Sequence, residues 1–205
     1  MPAPRLVLAS ASPRRLELLR TAGYQPLVDP AHVDETPDPS RSPAENAAAF
    51  ARDKALVVAA RRPGDLVLGA DTIVTIGREL LGKPRDADDA RRMLRRLAGR
   101  LHHVITCVFL AEIADWPQTA LSVSTAVVFR DLGDDEIEAY IATNEWTDKA
   151  GGYAVQGHAA AFTQAVIGSY TNVVGLPVTE VAGMLGAEGY PIHFNWMKFA
   201  EVDQS

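Results

Sequence analysis

The sequence predicts an α/β protein built on a mixed sheet. Apolar extended runs at residues 5–9, 66–70, 104–111 and 121–129 alternate with segments of helical periodicity. Helix-start chemistry recurs at the points of alternation. After Asp71 an extended segment, 73–76, meets a Gly77-Arg78 turn. That pattern reads as a hairpin, so at least one strand pair is antiparallel.

The elements follow in order. Residues 5–9 form a buried strand, and a helix begins after Ser12, a good N-cap, with Pro13 at its first position. Residues 29–43 are rich in Pro, Asp and Ser and read as a loop. Ser42 and Glu45 make a capping box around Pro43. The helix they open carries an apolar stripe of Ala47, Phe50, Ala51 and Val58, with Lys54 inside it. The second strand reaches a Gly69-Ala70-Asp71-Thr72 turn, and the chain stays extended to residue 76 before Gly82-Lys83-Pro84. Residues 86–98 form a helix with Met93, Leu94 and Leu97 inward. After two more strands, Asp134 caps a helix with Ile137, Tyr140 and Ile141 on one face. Gly-rich segments at 150–157 and 168–177 precede a last helix over 178–185. No linker or repeat divides the chain, so residues 1–205 are expected to form one domain. Its end, 190–205, is an extension carrying Phe194, Trp196, Met197 and Phe199.

Bulk properties narrow the function. The formal net charge is −6, which argues against a nucleic-acid polymer as partner, because that needs a basic stripe. It leaves room for a nucleotide, since one pocket with a few Lys and Arg side chains can hold a triphosphate. No apolar run is long enough to span a membrane and no signal-peptide layout is present. With a single cysteine, Cys107, read as a core residue, a cytoplasmic location is expected.

Some residues point to chemistry. The strand-to-helix turn Ser10-Ala11-Ser12-Pro13-Arg14-Arg15 presents free N–H groups and two forked cations, a phosphate-friendly arrangement. Its plainer reading is a helix start with arginines in solvent. Lys54 either snorkels to the surface or meets a carboxylate or phosphate, and snorkelling is the plainer reading. Asp71 could bind a metal or take a proton from water, or could simply bond its own turn. Lys83 and Glu35 have solvated loops as their defaults. His102 and His103 are adjacent, point to opposite faces and do not suit one metal. Zinc spacing, a Walker A loop, a dinucleotide fingerprint and a nucleophile elbow are all missing from the sequence. The residues alone suggest a phosphate ester or anhydride substrate.

The motifs, taken together and in order, resemble the Maf (septum formation inhibitor-like) proteins. They are residues 8–15, Gly69-Ala70-Asp71-Thr72, Gly82-Lys83-Pro84, Asp148-Lys149-Ala150-Gly151, residues 152–157, Gly168-Ser169-Tyr170 and residues 172–177. The resemblance implies a two-lobed fold similar to inosine triphosphate pyrophosphatases, with a curved mixed sheet, flanking helices and a deep central cleft. It implies hydrolysis of nucleoside triphosphates to monophosphate and pyrophosphate with Mg²⁺ or Mn²⁺, and a homodimer. By the same likeness Ser10, Ser12, Arg14 and Arg15 match the phosphate-binding loop. Glu35, Lys54 and Lys83 match other polar groups of the cleft, and Asp71 matches the proton acceptor. Glu35 and Asp71 are the carboxylates expected to meet the metal. The forms of these motifs are similar to the dTTP/UTP branch, in which Arg14, Thr72 and Gln156 match positions linked to base choice. Two rival readings are a nucleotide-binding regulator of cell division and a pyrophosphatase for purine or 7-methyl-GTP substrates. His103, Cys107, Asn144 and Trp146 depart from the family's usual residues.

Overall fold

A computed structural model describes residues 5–111 and 118–190. Phe194, Trp196, Met197 and Phe199 of the C-terminal extension lie outside that range. The elements run β1 (Leu6–Leu8), α1 (Pro13–Thr21), β2 (Leu27–Val28), α2 (Pro43–Ala59), β3 (Leu66–Ile76), β4 (Glu79–Leu81), α3 (Ala87–Leu97), β5 (Leu101–Ala111), β6 (Thr119–Phe129) and α4 (Asp134–Ala142). They end with β7 (Thr163–Ile167), α5 (Tyr170–Val174) and α6 (Val178–Ala187). Short 3₁₀ turns occupy Ala150–Gly152 and His158–Ala161.

The expected mixed sheet is present. Its strand order is β2-β1-β3-β5-β6-β7, with β4 attached to β3 outside this path. β1 runs parallel to both β2 and β3, and the remaining pairs are antiparallel. The Gly77-Arg78 hairpin joins β3 to β4, pairing Ile76 with Glu79.

The register of β3 sets the architecture. One edge pairs with β5 from Val67 to Thr75. The other edge is shared. β1 covers Leu66, Val67 and Leu68, and β4 covers Val74, Thr75 and Ile76. Residues 69–73 lie between them, and among the described residues no strand runs alongside on that edge. This gap in the sheet opens where β1 ends and α1 begins.

Side-chain alternation then sorts the core. Val67 and Ile73 of β3 join Cys107, Phe109 and Ala111 of β5 beneath α2. Leu66, Leu68 and Ala70 face the other way, with Val108 and Leu110, onto α1 and α6. Farther along that second face Val74, Val104 and Val127 belong to a separate cluster with α3, α4 and Tyr153. The apolar side chains of this face thus fall into two separate clusters.

Helix starts match the sequence reading at Ser12 and Ser42, where the Ser42–Glu45 capping box forms in both directions. Three expectations are corrected. Asp134 is the first helical residue of α4, not its cap; Gly133 holds the cap position, and its N–H donates to Glu136 Oε2 at 3.0 Å. Phe50 is only half-buried, because α2 turns its alanine face (Ala47, Ala51, Ala55) to the sheet. Asp71 does not sit in a turn: β3 runs unbroken through it for 11 residues. Strands β2 and β7 were not visible in the sequence pattern. Asn144 takes a left-handed conformation (φ 58°) just past the end of α4, which Asn tolerates better than most residues.

α2 lies unusually close to β3. A Cβ on Gly69 would stand 2.2 Å from the backbone oxygen of Ala51 and 2.9 Å from the Ala55 Cβ. Backbone cannot yield cheaply there. Gly69→Ala is expected to cost about 1–3 kcal/mol through overpacking, read as a lower Tm in a thermal melt. An unchanged Tm would mean that the helix does not need this approach.

Candidate active site

The close seating of α2 decides what Asp71 meets. Asp71 follows Gly69 by two residues, so its side chain leaves the same face of β3. Lys54 lies on the helix face buried against that strand. Its ammonium donates to Asp71 Oδ1 at 2.7 Å and stands 3.1 Å from Glu35 Oε1. Lys54 is 7% exposed and Asp71 9%. Lys54 therefore does not snorkel: it bridges a carboxylate from the strand and one from the 29–43 loop. The turn reading of Asp71 fails for the same geometric reason.

Thr72 points to the opposite face, where Arg15 reaches it from α1. The Arg15 guanidinium is buried and fixed by three acceptors. Nε donates to the Gly175 carbonyl at 2.9 Å, Nη1 to Ser10 Oγ at 3.1 Å and Nη2 to Thr72 Oγ1 at 2.9 Å. Burial lowers its pKa, and the negative charge of Asp71 opposes that shift. The solvent-exposed reading of this arginine is thus corrected. Arg14 is half-buried; desolvation lowers its pKa and Asp148 partly restores it. At the helix start, Ser10 Oγ accepts the Ser12 N–H at 3.2 Å, and Ser12 Oγ caps the Arg15 N–H at 3.5 Å.

These two faces meet at the gap in the β3 edge. A cavity of about 400 Å³ opens there, within the range of small-molecule sites. Ser10, Ser12, Arg14, Arg15, Glu35, Lys54, Asp71, Thr72, Lys83 and Gln156 all line it. Every site residue expected from the sequence is therefore in one place, although the chain separates Ser10 from Gln156 by most of its length.

The structure adds Asp148, Lys149 and Tyr153 to the lining. Asp148 is held in the left-handed region (φ 58°), at the turn that carries the next residues into the cleft. Partial burial, and then Arg14, lower the pKa of Lys149. Tyr153 Oη meets His102 Nε2 at 2.8 Å. Burial depresses the His102 pKa to about 4, so this imidazole stays neutral. His103 is exposed on the other side of the strand, as its position predicts. Asp148-Lys149 belongs to one of the family-like motifs, but nothing in that motif alone marks a wall of the pocket.

The cavity has chemical polarity. Five cations (Arg14, Arg15, Lys54, Lys83, Lys149) outnumber three carboxylates (Glu35, Asp71, Asp148), which suits a polyanion. Val74, Val104, Val173, Val174 and Tyr153 supply an apolar wall, with the Gln156 amide on the lining as well. Among the described residues no three His, Cys, Asp or Glu side chains cluster as a self-sufficient metal site. Glu35 and Asp71, which meet at the Lys54 ammonium and both line the cavity, are nevertheless oxygen donors of the kind a hard divalent ion takes alongside phosphate and water.

An open α/β sheet with a cationic, carboxylate-bearing pocket beyond the end of a parallel strand is the architecture of an α/β protein with a site suited to a polyanionic ligand. The Maf-like protein family model matches residues 5–188, and the chain belongs to that family. It is 51% identical to a dTTP/UTP pyrophosphatase of Anaeromyxobacter dehalogenans (strain 2CP-1) over 93% of this chain and 97% of that one. Proteins of the same name from Brucella abortus (strain 2308) and Rhodopseudomonas palustris (strain HaA2) are 46% and 45% identical. Those alignments cover 94% and 95% of this chain and 95% and 97% of the relatives.

Removing Lys54 would leave Asp71 buried beside Glu35 without its cation. Lys54→Met is expected to destabilise the protein by about 3 kcal/mol, measured by chemical denaturation. Asp71→Asn in the same background should recover part of the loss, giving a coupling energy in the double-mutant cycle. Strictly additive losses would show that the pair does not act as a unit.

Proposed function

We propose that this chain hydrolyses nucleoside triphosphates, dTTP and UTP foremost, to the monophosphate and pyrophosphate. The observation that carries the reading is the convergence of Lys54, Asp71 and Glu35 with the Arg14–Arg15 helix start at one cavity. The relatives' names support the reaction and its pyrimidine substrates.

The triphosphate lies along the cationic side of the cleft. Ser10, Ser12 and the N-terminus of α1 offer donors to phosphate oxygens. Arg14, Arg15, Lys54 and Lys83 offset the charge that develops on the leaving pyrophosphate. Asp71 orients a water for attack on the α-phosphorus and accepts its proton, while the bond from the α-phosphorus to the bridging oxygen breaks. Glu35 and Asp71 would hold Mg²⁺ or Mn²⁺, which when bound polarises the phosphoryl oxygens. Lys54 keeps both carboxylates directed to one point. Positioning and electrostatics supply most of the rate.

The base lies toward the apolar wall. Gln156 offers an N–H donor and a carbonyl acceptor, matching the O4 and N3–H edge of uracil or thymine. Arg14 and Thr72 complete the group assigned to base choice. Residues 1–205 work as one domain, as a homodimer in the cytoplasm. Among the described residues no helix is long and apolar enough to cross a membrane.

Purified protein with Mg²⁺ or Mn²⁺ is expected to release pyrophosphate selectively from dTTP and UTP, and a chelator to abolish release. Asp71→Asn should reduce kcat by about 100-fold or more, the scale of general acid–base catalysis, while nucleotide still binds. Near-normal turnover would remove Asp71 from the base role, and binding without any turnover in the wild type would favour a regulatory protein. Gln156→Glu replaces the amide donor with a carboxylate, and the ratio of kcat/KM for dTTP over purine triphosphates should fall. An unchanged ratio would take Gln156 out of base recognition.

A further inference from the structure

A line of buried polar groups crosses the sheet face behind the cavity, between its two apolar clusters. Thr72 of β3 and Thr106 of β5 are direct cross-strand partners. Their hydroxyls are 3.0 Å apart, and Thr106 Oγ1 donates to the Asn172 carbonyl at 3.3 Å. Thr106 and Asn172 are fully buried. The Asn172 amide donates to the Val104 carbonyl and to Thr125 Oγ1, each at 3.0 Å, which pins α5 onto β5 and β6. The Asn172 carbonyl also accepts the Gly175 N–H at 3.0 Å. The Gly175 carbonyl in turn accepts from Arg15 Nε.

Donor and acceptor rules give this line a direction. A hydroxyl has one proton to donate. Arg15 Nη2 can only donate, so Thr72 accepts from it and directs its own proton onward to Thr106 or to the Gly175 carbonyl, 3.3 Å away. Thr106 donates to Asn172, which leaves it free to accept from Thr72. With its proton so used, Thr72 has none left for a ligand. Of the three acceptors that hold Arg15, two, Thr72 and Gly175, connect onward to Asn172.

We propose that Thr106 is a positioning residue for the reaction: held by Asn172, it sets the Thr72 hydroxyl and through it the orientation of the Arg15 guanidinium toward the triphosphate. Thr106 does not line the cavity, so it acts only through its neighbours. The inference rests on the pyrophosphatase reading for its catalytic consequence, and on the geometry alone for its effect on Arg15. A pre-organised guanidinium matters most where charge develops in the reaction, while several other cations sustain ground-state binding.

The test compares Thr106→Val, which keeps the shape and removes the hydroxyl, with Thr106→Ser, which keeps the hydroxyl. For Thr106→Val, kcat on dTTP is expected to fall about tenfold, the scale of one lost hydrogen bond, with KM changed less than about threefold. Thr106→Ser should retain wild-type kcat. The Arg15 side-chain Nε–H resonance, protected from exchange in the wild type and in Thr106→Ser, should lose protection in Thr106→Val. If Thr106→Val does not fold, Thr106→Ala removes the same hydroxyl and should show the same changes. Wild-type kcat in the hydroxyl-free variant would overturn the proposal. So would equal losses in the valine and serine variants, which would mark a packing effect. If the wild type cleaves no nucleotide, the pyrophosphatase reading fails. The Arg15 resonance then decides alone: selective loss of protection in the hydroxyl-free variant supports the positioning role, and unchanged protection overturns it.

Discussion

A strand within a sheet ordinarily separates the groups on its two faces. Here β3 is paired along one edge by β5, while its other edge is shared between β1 and β4, neither long enough to reach the other. Across residues 69–73 the edge is open, and both faces of the strand border the same space. Asp71 on one face and Thr72 on the other can therefore line one cavity. The rest of the site follows from that gap. β1 ends beside it and turns into α1, bringing Ser10, Ser12 and the two arginines. β4 ends on its far side and leads into Lys83. Extending either short strand by a few residues would close the opening and divide the site between two layers.

The packing on each side is fitted to this opening. On the α2 face a run of alanines and Gly69 lets the helix lie nearly on the strand backbone. That proximity allows a lysine in an otherwise apolar stripe to end on a strand carboxylate rather than reach for solvent. A longer side chain at residue 69 would move the helix away and lengthen the 2.7 Å contact. On the other face, Thr72 and Thr106 interrupt two apolar clusters with a polar seam. Such a seam is costly unless its members are hydrogen-bonded. Each hydroxyl here has partners, and the seam is closed at its far end by an asparagine whose amide spans two strands.

Much of this was legible in the sequence where the signal is local. The Ser12-Pro13 and Ser42-Pro43-x-Glu45 starts, the Gly77-Arg78 hairpin and the opposed His102 and His103 depend on a few adjacent residues, and the structure bears them out. Strands β2 and β7 did not register because neither has an apolar alternation. β2 is two exposed residues long, and β7 is largely half-exposed at the sheet margin. Lys54 and Asp71 were visible as anomalies, but their plainer readings looked sound because the decisive fact lies across the fold. Lys54 belongs to a helix and Asp71 to a strand 17 residues on, and only the close approach at Gly69 joins them. The Thr72–Thr106 pair was less accessible still. A threonine in a strand has no unusual character until the register is known, and here that register links positions 34 residues apart.

Charge in the cleft follows a related logic. Arg15 is fixed to the protein frame through three of its N–H groups, whereas Arg14 is half-buried and interacts electrostatically with Asp148. Two adjacent arginines of one motif thus have different physical work. Arg15 cannot swing without breaking bonds to α5, β3 and the β1–α1 turn, so it presents a fixed positive field. Arg14 has an electrostatic partner across the mouth of the cleft rather than a rigid cradle, which leaves it able to adjust to a ligand. A fixed cation lowers the cost of reorganisation as charge develops on phosphate, and an adjustable one tolerates variation in what enters. The buried seam behind Thr72 explains why the fixed role falls to Arg15: it alone of the two points into the face where the hydroxyls lie.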